Sequence, residues 1–106
     1  MRRGEIYLVE FDPARGPEAS KRRPAIIVSN DVANSTATTL GRGVVTVVPV
    51  TSNIERVYPF QVFLPAASTG LPRDSKAQAE QVRSVAVERV TERRGALAAD
   101  LVRDLG

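Results

Sequence analysis

A short apolar segment, Ala25-Ile26-Ile27-Val28, constrains the fold of this chain most strongly. It shows no polar alternation, which is typical of a strand that is covered on both faces or that belongs to a tight barrel. The basic cluster Lys21-Arg22-Arg23 and Pro24 precede it, so a guanidinium is expected at the mouth of a rigid sheet. A second strand, Val44 to Val50, also ends at polar residues, Thr51-Ser52-Asn53. Two strand ends that offer an arginine and a hydroxyl predict an anion site.

The remaining pattern predicts several short strands, long loops and a late helix. Ile6 to Phe11 is predicted as a strand, Asp12 to Arg23 as a long loop, and Pro24 as the first residue of the next strand. Further along, the pattern predicts a short helix capped by Asn30 or Asp31 and weakened by the polar Ser35 to Thr39, and then a turn between Gly41 and Gly43. A half-exposed strand is predicted over Phe60 to Leu64 and a loop over Ala66 to Ser75. The last elements predicted are a strand up to about Ser84, a helical turn after it, and a helix over Ala96 to Leu105. The fold class expected is mainly β with helices (α+β), as a small barrel or strongly bent sheet within one domain over residues 1–106.

Composition narrows the chemistry that is available to this chain. Its 106 residues contain no cysteine and no histidine, which excludes disulfides, thiolate chemistry, the usual general base and the commonest metal ligand. A net charge of +3 favours a polyanionic partner, although many small proteins are equally basic. Met1-Arg2-Arg3 is followed by Gly4-Glu5 and not by the apolar run of a signal peptide, and no segment is long enough to span a bilayer, so we expect a cytoplasmic protein without a membrane partner.

Short motifs along the whole chain resemble the MazF/PemK family of toxin endoribonucleases. They occur in the family's order, although no single one is specific to it. These motifs are Arg3-Gly4-Glu5-Ile6-Tyr7, Asp12-Pro13, Gly16 with Glu18, Arg23-Pro24-Ala25 with Ser29, Val48-Pro49-Val50-Thr51-Ser52, Tyr58-Pro59-Phe60 and Glu80-Gln81-Val82-Arg83-Ser84. Tyr7 stands where the family often has Trp, and the chain stops at Gly106, before the end of the family's usual last helix, which would reduce core burial and dimer area.

The resemblance implies an SH3-like barrel of the MazF/PemK/CcdB type with a C-terminal helix, usually as a homodimer. It implies metal-independent, sequence-specific cleavage of single-stranded RNA that needs no cofactor and leaves a 2′,3′-cyclic phosphate and a 5′-hydroxyl. The implied partner is an acidic antitoxin that lays an extended segment across the active groove, and DNA is contacted only through that antitoxin. Because the nucleophile is the 2′-hydroxyl of the RNA, this chemistry does not require a histidine, and DNA would be spared.

Three residues are candidates for catalysis by their match to the family. Arg23 matches the catalytic arginine, whose fork can stabilise charge on phosphorus, or it is a solvated member of its basic run. Thr51 matches the active-site threonine, or it is an ordinary threonine at the end of a strand. Glu18 matches the acidic residue of the first long loop and could serve as the general base or orient Arg23, or it is an exposed loop glutamate.

RNA contacts are predicted at the same sheet mouth and in the late motif. The candidates share polar or charged side chains and are Lys21, Arg22, Ser52, Asn53, Gln78, Glu80, Gln81 and Arg83. Glu80 stands where the family usually has Asp, so its carboxylate is one methylene longer. The five aromatic residues are expected mostly in the core, and base preference is therefore expected to come from polar loop groups.

Two other functional classes remain open at this point. One is a toxin of the same fold that poisons DNA gyrase without catalysis, as CcdB does, although such a protein would not need an arginine paired with a hydroxyl. The other is a non-enzymatic SH3-like RNA-binding module, which the basic charge fits better than the acidic Glu18 and Glu80 do.

Overall fold

The computed structural model describes residues 1–12 and 21–105. Seven strands and three helices follow one another in these ranges: β1 (Glu5–Asp12), β2 (Lys21–Ile27), α1 (Asp31–Leu40), β3 (Val44–Thr51), β4 (Val62–Leu64), α2 (Ala66–Thr69), β5 (Ser75–Ala77), β6 (Arg83–Ala86), β7 (Val90–Ala96) and α3 (Ala99–Asp104). Single 3-10 turns lie at Ala79–Gln81 and Val87–Arg89. The predicted class, mainly β with helices and a helix near the C-terminus, is confirmed.

All described strand pairs are antiparallel and form one strongly curled sheet. Its order is β4-β5-β3-β2-β1-β7, and β6 pairs with β3 beside this path. One edge of β3 pairs with β2, so its other edge carries β6 along Val44 to Val47 and then β5 along Val50 and Thr51. This division of one strand between several partners bends the sheet into an incomplete barrel.

Two apolar clusters cover opposite faces of this sheet. The first cluster consists of Val9, Phe11, Ala25, Ile27, Ala37, Val45, Val47, Val85 and Val87. The second consists of Ile6, Ile26, Val48, Val50, Leu64, Leu71 and Ala77, against which Leu97, Leu101 and Leu105 pack from the C-terminal segment. Because successive residues of a strand point to opposite faces, β2 and β3 supply both clusters, and this explains why their sequences show no polar alternation.

The second strand begins earlier than its sequence indicates. Lys21 to Arg23 were expected in a loop, but they belong to β2, and Pro24 is its fourth residue. The predicted loop residues 13–20 lie outside the described ranges. Pro24 pairs with Leu8 of β1, whereas the ladder to β3 starts only at Ala25, so the missing N–H removes no bond to β3.

The first helix is longer than predicted and has a polar anchor. The Asn30 side chain caps it by accepting from Ala33 N at 2.9 Å, and the helix continues through the polar stretch to Leu40. Asn34 is fully buried, and its Nδ2 donates to the Ser29 carbonyl at 2.9 Å. Ser29 Oγ in turn donates to Asn34 Oδ1 and accepts from Thr46 N. Tertiary hydrogen bonds thus compensate for weak helix propensity.

Other element boundaries also differ from the prediction. The strand expected over Phe60 to Leu64 is limited to Val62–Leu64, and the loop expected over Ala66 to Ser75 contains α2. The 3-10 turn Ala79–Gln81 interrupts the strand expected up to about Ser84, and the predicted late helix starts at Ala99 because Ala96 belongs to β7. The turn at Gly41 and Gly43 is confirmed, with φ of 67° and 111°. In the described part of the chain, no helix has the length and apolar character needed to cross a membrane.

Candidate active site

Arg23 and Thr51 come together through the register of β2 and β3. The last pair in the register of that ladder is Ala25 with Pro49. Arg23 precedes Ala25 by two residues and Thr51 follows Pro49 by two, so the two side chains occupy corresponding positions on adjacent strands. Their residues are 28 apart in sequence (51 − 23), and only the sheet brings them to one place.

Both side chains point to the face of the first cluster. Arg23 pairs with Val9 of β1, a member of that cluster, and cross-strand partners share a face. On β3, Val47 belongs to the first cluster while Val48 and Val50 belong to the second, which places Thr51 on the first face by alternation. Arg23 is exposed and Thr51 is half-exposed, so both lie at the margin of the first cluster.

The hydroxyl of Thr51 is oriented by the loop that follows it. Thr51 Oγ1 accepts a hydrogen bond from Asn53 N at 3.2 Å, and Asn53 Oδ1 accepts from Glu55 N at 3.3 Å. Because this contact uses a lone pair of the hydroxyl oxygen, the O–H proton remains available to donate outward. An oxyanion beside Arg23 could receive that donation together with the guanidinium.

Lys76 places a largely buried positive charge next to Thr51. It is the cross-strand partner of Thr51 in β5 and is only 8% exposed. Its Nζ donates to the Arg56 carbonyl at 2.6 Å and lies 5.7 Å from the centroid of the Tyr58 ring. A buried ammonium therefore fixes the loop after Thr51, a role that the sequence analysis did not assign to Lys76.

Arg83 reaches the first face from the opposite side of the curled sheet. It pairs with Val47 of β3, and its guanidinium carbon lies 5.2 Å from the centroid of the Phe11 ring. This cation–π contact holds an exposed charge at the margin of the first cluster. Arg83 thus lies on the same face as Arg23 and Thr51.

Several predicted residues are placed elsewhere. Arg22 lies on the other face of β2, where its Nε and Nη2 contact Glu10 Oε1 at 3.0 and 2.9 Å. Ser52 lines a separate cleft of about 230 Å³ with Pro24 and Leu71. Glu80 accepts from Gln61 Nε2 at 2.9 Å, which engages its carboxylate in a structural contact.

The remaining predicted residues are Gln78, Gln81, Lys21 and Glu18. Gln78 donates its backbone N–H to the Pro49 carbonyl at 2.9 Å, and its buried Oε1 has no hydrogen-bond partner among the described residues. Gln81 is exposed at the end of the 3-10 turn. Lys21 starts β2, but its side chain, like the whole of Glu18, lies outside the described part of the structure.

The expectation that the aromatic residues lie mostly in the core is wrong for three of the five. Tyr58, Phe60 and Phe63 are 41%, 55% and 42% exposed, whereas Phe11 is buried. Phe63 alternates with Val62 and Leu64 in β4 and pairs with Lys76, so it faces away from the second cluster. Pro59 within the motif and Pro65 after β4 were the available sequence signal for an exposed position.

Two side chains near the start of β1, Glu5 and Tyr7, have shifted pKa values. Burial raises the pKa of Glu5, but hydrogen bonds from Arg2 N and Arg93 Nε outweigh it and lower the pKa below its usual value of 4.5. Burial and the Glu5 charge raise the pKa of Tyr7 above 10.0. Within residues 1–12 and 21–105, no three His, Cys, Asp or Glu side chains are grouped so that they could hold a metal ion.

Comparison with known proteins assigns the family. Residues 2–106 match the family described as the PemK-like, MazF-like toxin of type II toxin-antitoxin systems. The chain belongs to this family. It is 70% identical over 90 residues to the endoribonuclease MazF9 of Mycobacterium tuberculosis H37Rv, covering 85% of this chain and 76% of the relative. It is 34% identical over 104 residues to the endoribonuclease MazF6 of the same strain, covering 97% and 88%.

The fold agrees with solved members of the MazF family. A MazE–MazF structure from Deinococcus radiodurans (Form-III) superposes with a TM-score of 0.76 and 28% identity, covering 99% of this chain and 88% of that one. The family resemblance that the sequence motifs indicated is thereby confirmed, and the curled sheet with a C-terminal helix is the family's architecture. The relatives named above are endoribonucleases, the activity predicted for this chain.

Proposed function

We propose that this chain is a single-domain, cytoplasmic MazF toxin that cleaves single-stranded RNA at specific sequences without a metal ion. It thereby inhibits translation and growth until a cognate acidic antitoxin neutralises it. The observation that carries this proposal is the placement of the Arg23 guanidinium and the Thr51 hydroxyl at corresponding positions on one sheet face. An inhibitor that acts by binding alone has no need for such a pair.

The reaction follows from the donors at this position. The RNA 2′-hydroxyl loses its proton and attacks the adjacent phosphorus, and the bond from phosphorus to the 5′ oxygen breaks as that oxygen takes up a proton. The products are a 2′,3′-cyclic phosphate and a 5′-hydroxyl. Arg23 stabilises the added charge on the non-bridging oxygens, and Thr51 donates its hydroxyl to the same phosphate. Glu18 is the proposed general base.

The surrounding charges suit an anionic strand. Arg83 lies on the same face and the buried Lys76 ammonium adjoins Thr51, so the phosphates next to the cut would lie close to positive charge. An acidic, extended segment of the antitoxin would compete for the same cations. We propose that the active form is a homodimer and that it meets DNA only through the antitoxin.

End mapping on a long single-stranded RNA tests this proposal. Purified protein is incubated with the RNA in EDTA, and a DNA of matching sequence serves as the control. We expect discrete cuts with 5′-hydroxyl and cyclic-phosphate ends in the RNA and none in the DNA. Cleavage that EDTA abolishes and a divalent ion restores would disprove the metal-free mechanism. A folded protein that cuts no RNA would favour the gyrase poison or the binding module.

A further inference from the structure

Two exposed aromatic rings form a parallel stack in the loop after Thr51. The centroids of Tyr58 and Phe60 lie 5.3 Å apart, and their planes differ by 4°. Phe60 is 55% exposed and Tyr58 41%, so a large part of this apolar surface faces solvent. Exposing two stacked rings is costly for a small protein unless something covers them.

Cations surround one ring of the stack. The guanidinium carbon of Arg56 and the Nζ of Lys76 each lie 5.7 Å from the Tyr58 centroid. Beside them is a cleft of about 490 Å³ lined by Asn53, Glu55, Arg56, Tyr58 and Lys76. An aromatic surface next to basic groups suits single-stranded nucleic acid, because its bases can stack on the rings while its phosphates bind the cations.

The loop that carries the rings is held in place from below. Gln61 is 9% exposed, and its Oε1 accepts from Tyr58 N at 3.1 Å while its Nε2 donates to Glu80. Lys76 Nζ holds the Arg56 carbonyl at 2.6 Å. Two buried polar side chains thus fix the backbone on either side of Val57, so the rings are pre-organised before any ligand arrives.

The stack is also close to the proposed site of cleavage. Lys76 contacts the Tyr58 ring and is the cross-strand partner of Thr51. Adjacent strands lie about 5 Å apart, so the ring is near Thr51. An RNA strand with a phosphate at Arg23 and Thr51 would therefore place an adjacent nucleotide over this loop.

We propose that the Tyr58–Phe60 stack is a platform for an unpaired base of the RNA substrate, next to the cleaved phosphate, with the base stacking on Phe60. This inference rests on the proposed function and makes the loop a determinant of where the enzyme cuts. Asn53 and Glu55, which line the cleft, are then the polar groups within reach of the base edge.

A set of three variants tests the platform. Phe60→Leu removes the stacking ring but keeps an apolar side chain, and Phe60→Tyr keeps the ring. Leu40→Ala is the control, because it shortens a comparably exposed apolar side chain at the end of α1, near the start of β3 and so far from Thr51. Binding is measured by fluorescence anisotropy with a short RNA that contains the mapped cut site and is 2′-O-methylated so that it stays intact. We expect Phe60→Leu to weaken binding roughly 5- to 100-fold, Leu40→Ala to have little effect, and Phe60→Tyr to bind like the wild type.

Abasic substitution identifies the stacked base. Each base around the cut is removed in turn, and we expect one position whose loss weakens the wild type strongly but Phe60→Leu hardly further. Equal sensitivity of both proteins at every position, or equal weakening by Phe60→Leu and Leu40→Ala, would show that the platform is wrong. So would a Phe60→Leu protein that binds RNA normally but escapes its antitoxin, because the rings would then form a protein-docking surface.

Failure of the platform can be distinguished from failure of the proposed RNA cleavage. Failure of the wild type to cut RNA overturns the function, and the binding comparison can then be made on unmodified RNA of mixed sequence. Cutting by the wild type together with unchanged binding by Phe60→Leu overturns only the platform. Thermal unfolding of each variant verifies that it is folded.

Discussion

Arg23 and Thr51 lie at corresponding positions on adjacent strands, each two residues beyond the Ala25–Pro49 pair that ends their ladder. The β2–β3 register ends at that pair, while Thr51 pairs with Lys76 of β5 on the other edge of β3. The ladder thus ends where Arg23 is exposed and Thr51 is half-exposed, so a phosphate could meet an arginine and a hydroxyl that two strands support. A site built on strands holds its geometry better than one built on loops.

Replacing Arg23 by alanine is expected to reduce RNA cleavage at least about 100-fold, because the guanidinium stabilises charge in the transition state. Stability should change by less than about 0.5 kcal/mol, since Arg23 is exposed. Arg42→Ala is the matched control, because it removes the same charge from the turn before β3, at the far end of the strand from Thr51. Cleavage rates and urea unfolding of both variants provide the measurement, and wild-type cleavage by Arg23→Ala would refute the assignment.

The role of the Thr51 hydroxyl can be separated from its shape. Thr51→Val keeps the volume but loses the donor, and we expect cleavage to fall about 100-fold, whereas Thr51→Ser should retain most activity. The measurement is single-turnover cleavage of a saturating RNA, which reports the chemical step. If serine and valine are equally impaired, the methyl group matters and the hydroxyl does not donate to the phosphate.

Gln61 is expected to stabilise the loop between β3 and β4. Gln61→Leu leaves the Tyr58 N–H without its acceptor and should lower the free energy of unfolding by about 1–3 kcal/mol. Gln81→Leu is the control, because Gln81 is exposed in the described structure and its change should stay within about 0.5 kcal/mol. Urea denaturation compares the two, and similar values would mean that Gln61 does not anchor the loop.

The ion pair of Glu5 and Arg93 predicts a pH dependence of stability. Because hydrogen bonds lower the pKa of Glu5 in the folded state below 4.5, its contribution is complete above that value and is lost as pH falls through the lowered pKa. Glu5→Gln should therefore be less stable than the wild type at about pH 7, and the difference should shrink toward about pH 3. Unfolding at both pH values measures this, and a constant difference would exclude ionisation as the cause.

The aromatic residues show where prediction from sequence was limited. Tyr58-Pro59-Phe60 carries hydrophobic rings, and apolar side chains are buried in most proteins, so the core was the natural expectation. Their exposure depends on Gln61 and Lys76, which hold the intervening backbone at the surface through buried hydrogen bonds. The sequence does not signal burial of either side chain, because Gln61 binds Glu80 across 19 residues and Lys76 binds Arg56 across 20.

The strands β1, β2 and β3, the cap at Asn30 and the glycine turn could be predicted because each depends on neighbours along the chain. The motifs also identified the family and the pairing of Arg23 with Thr51 as a hypothesis. Tertiary structure alone decided that Arg22 and Arg23 face opposite sides of β2 and that Lys76 is buried beside Thr51. It also decided that a polar stretch continues α1. The physical reason is that register, alternation and burial are set by contacts between distant strands, and these contacts outweigh the weak local preferences of single residues.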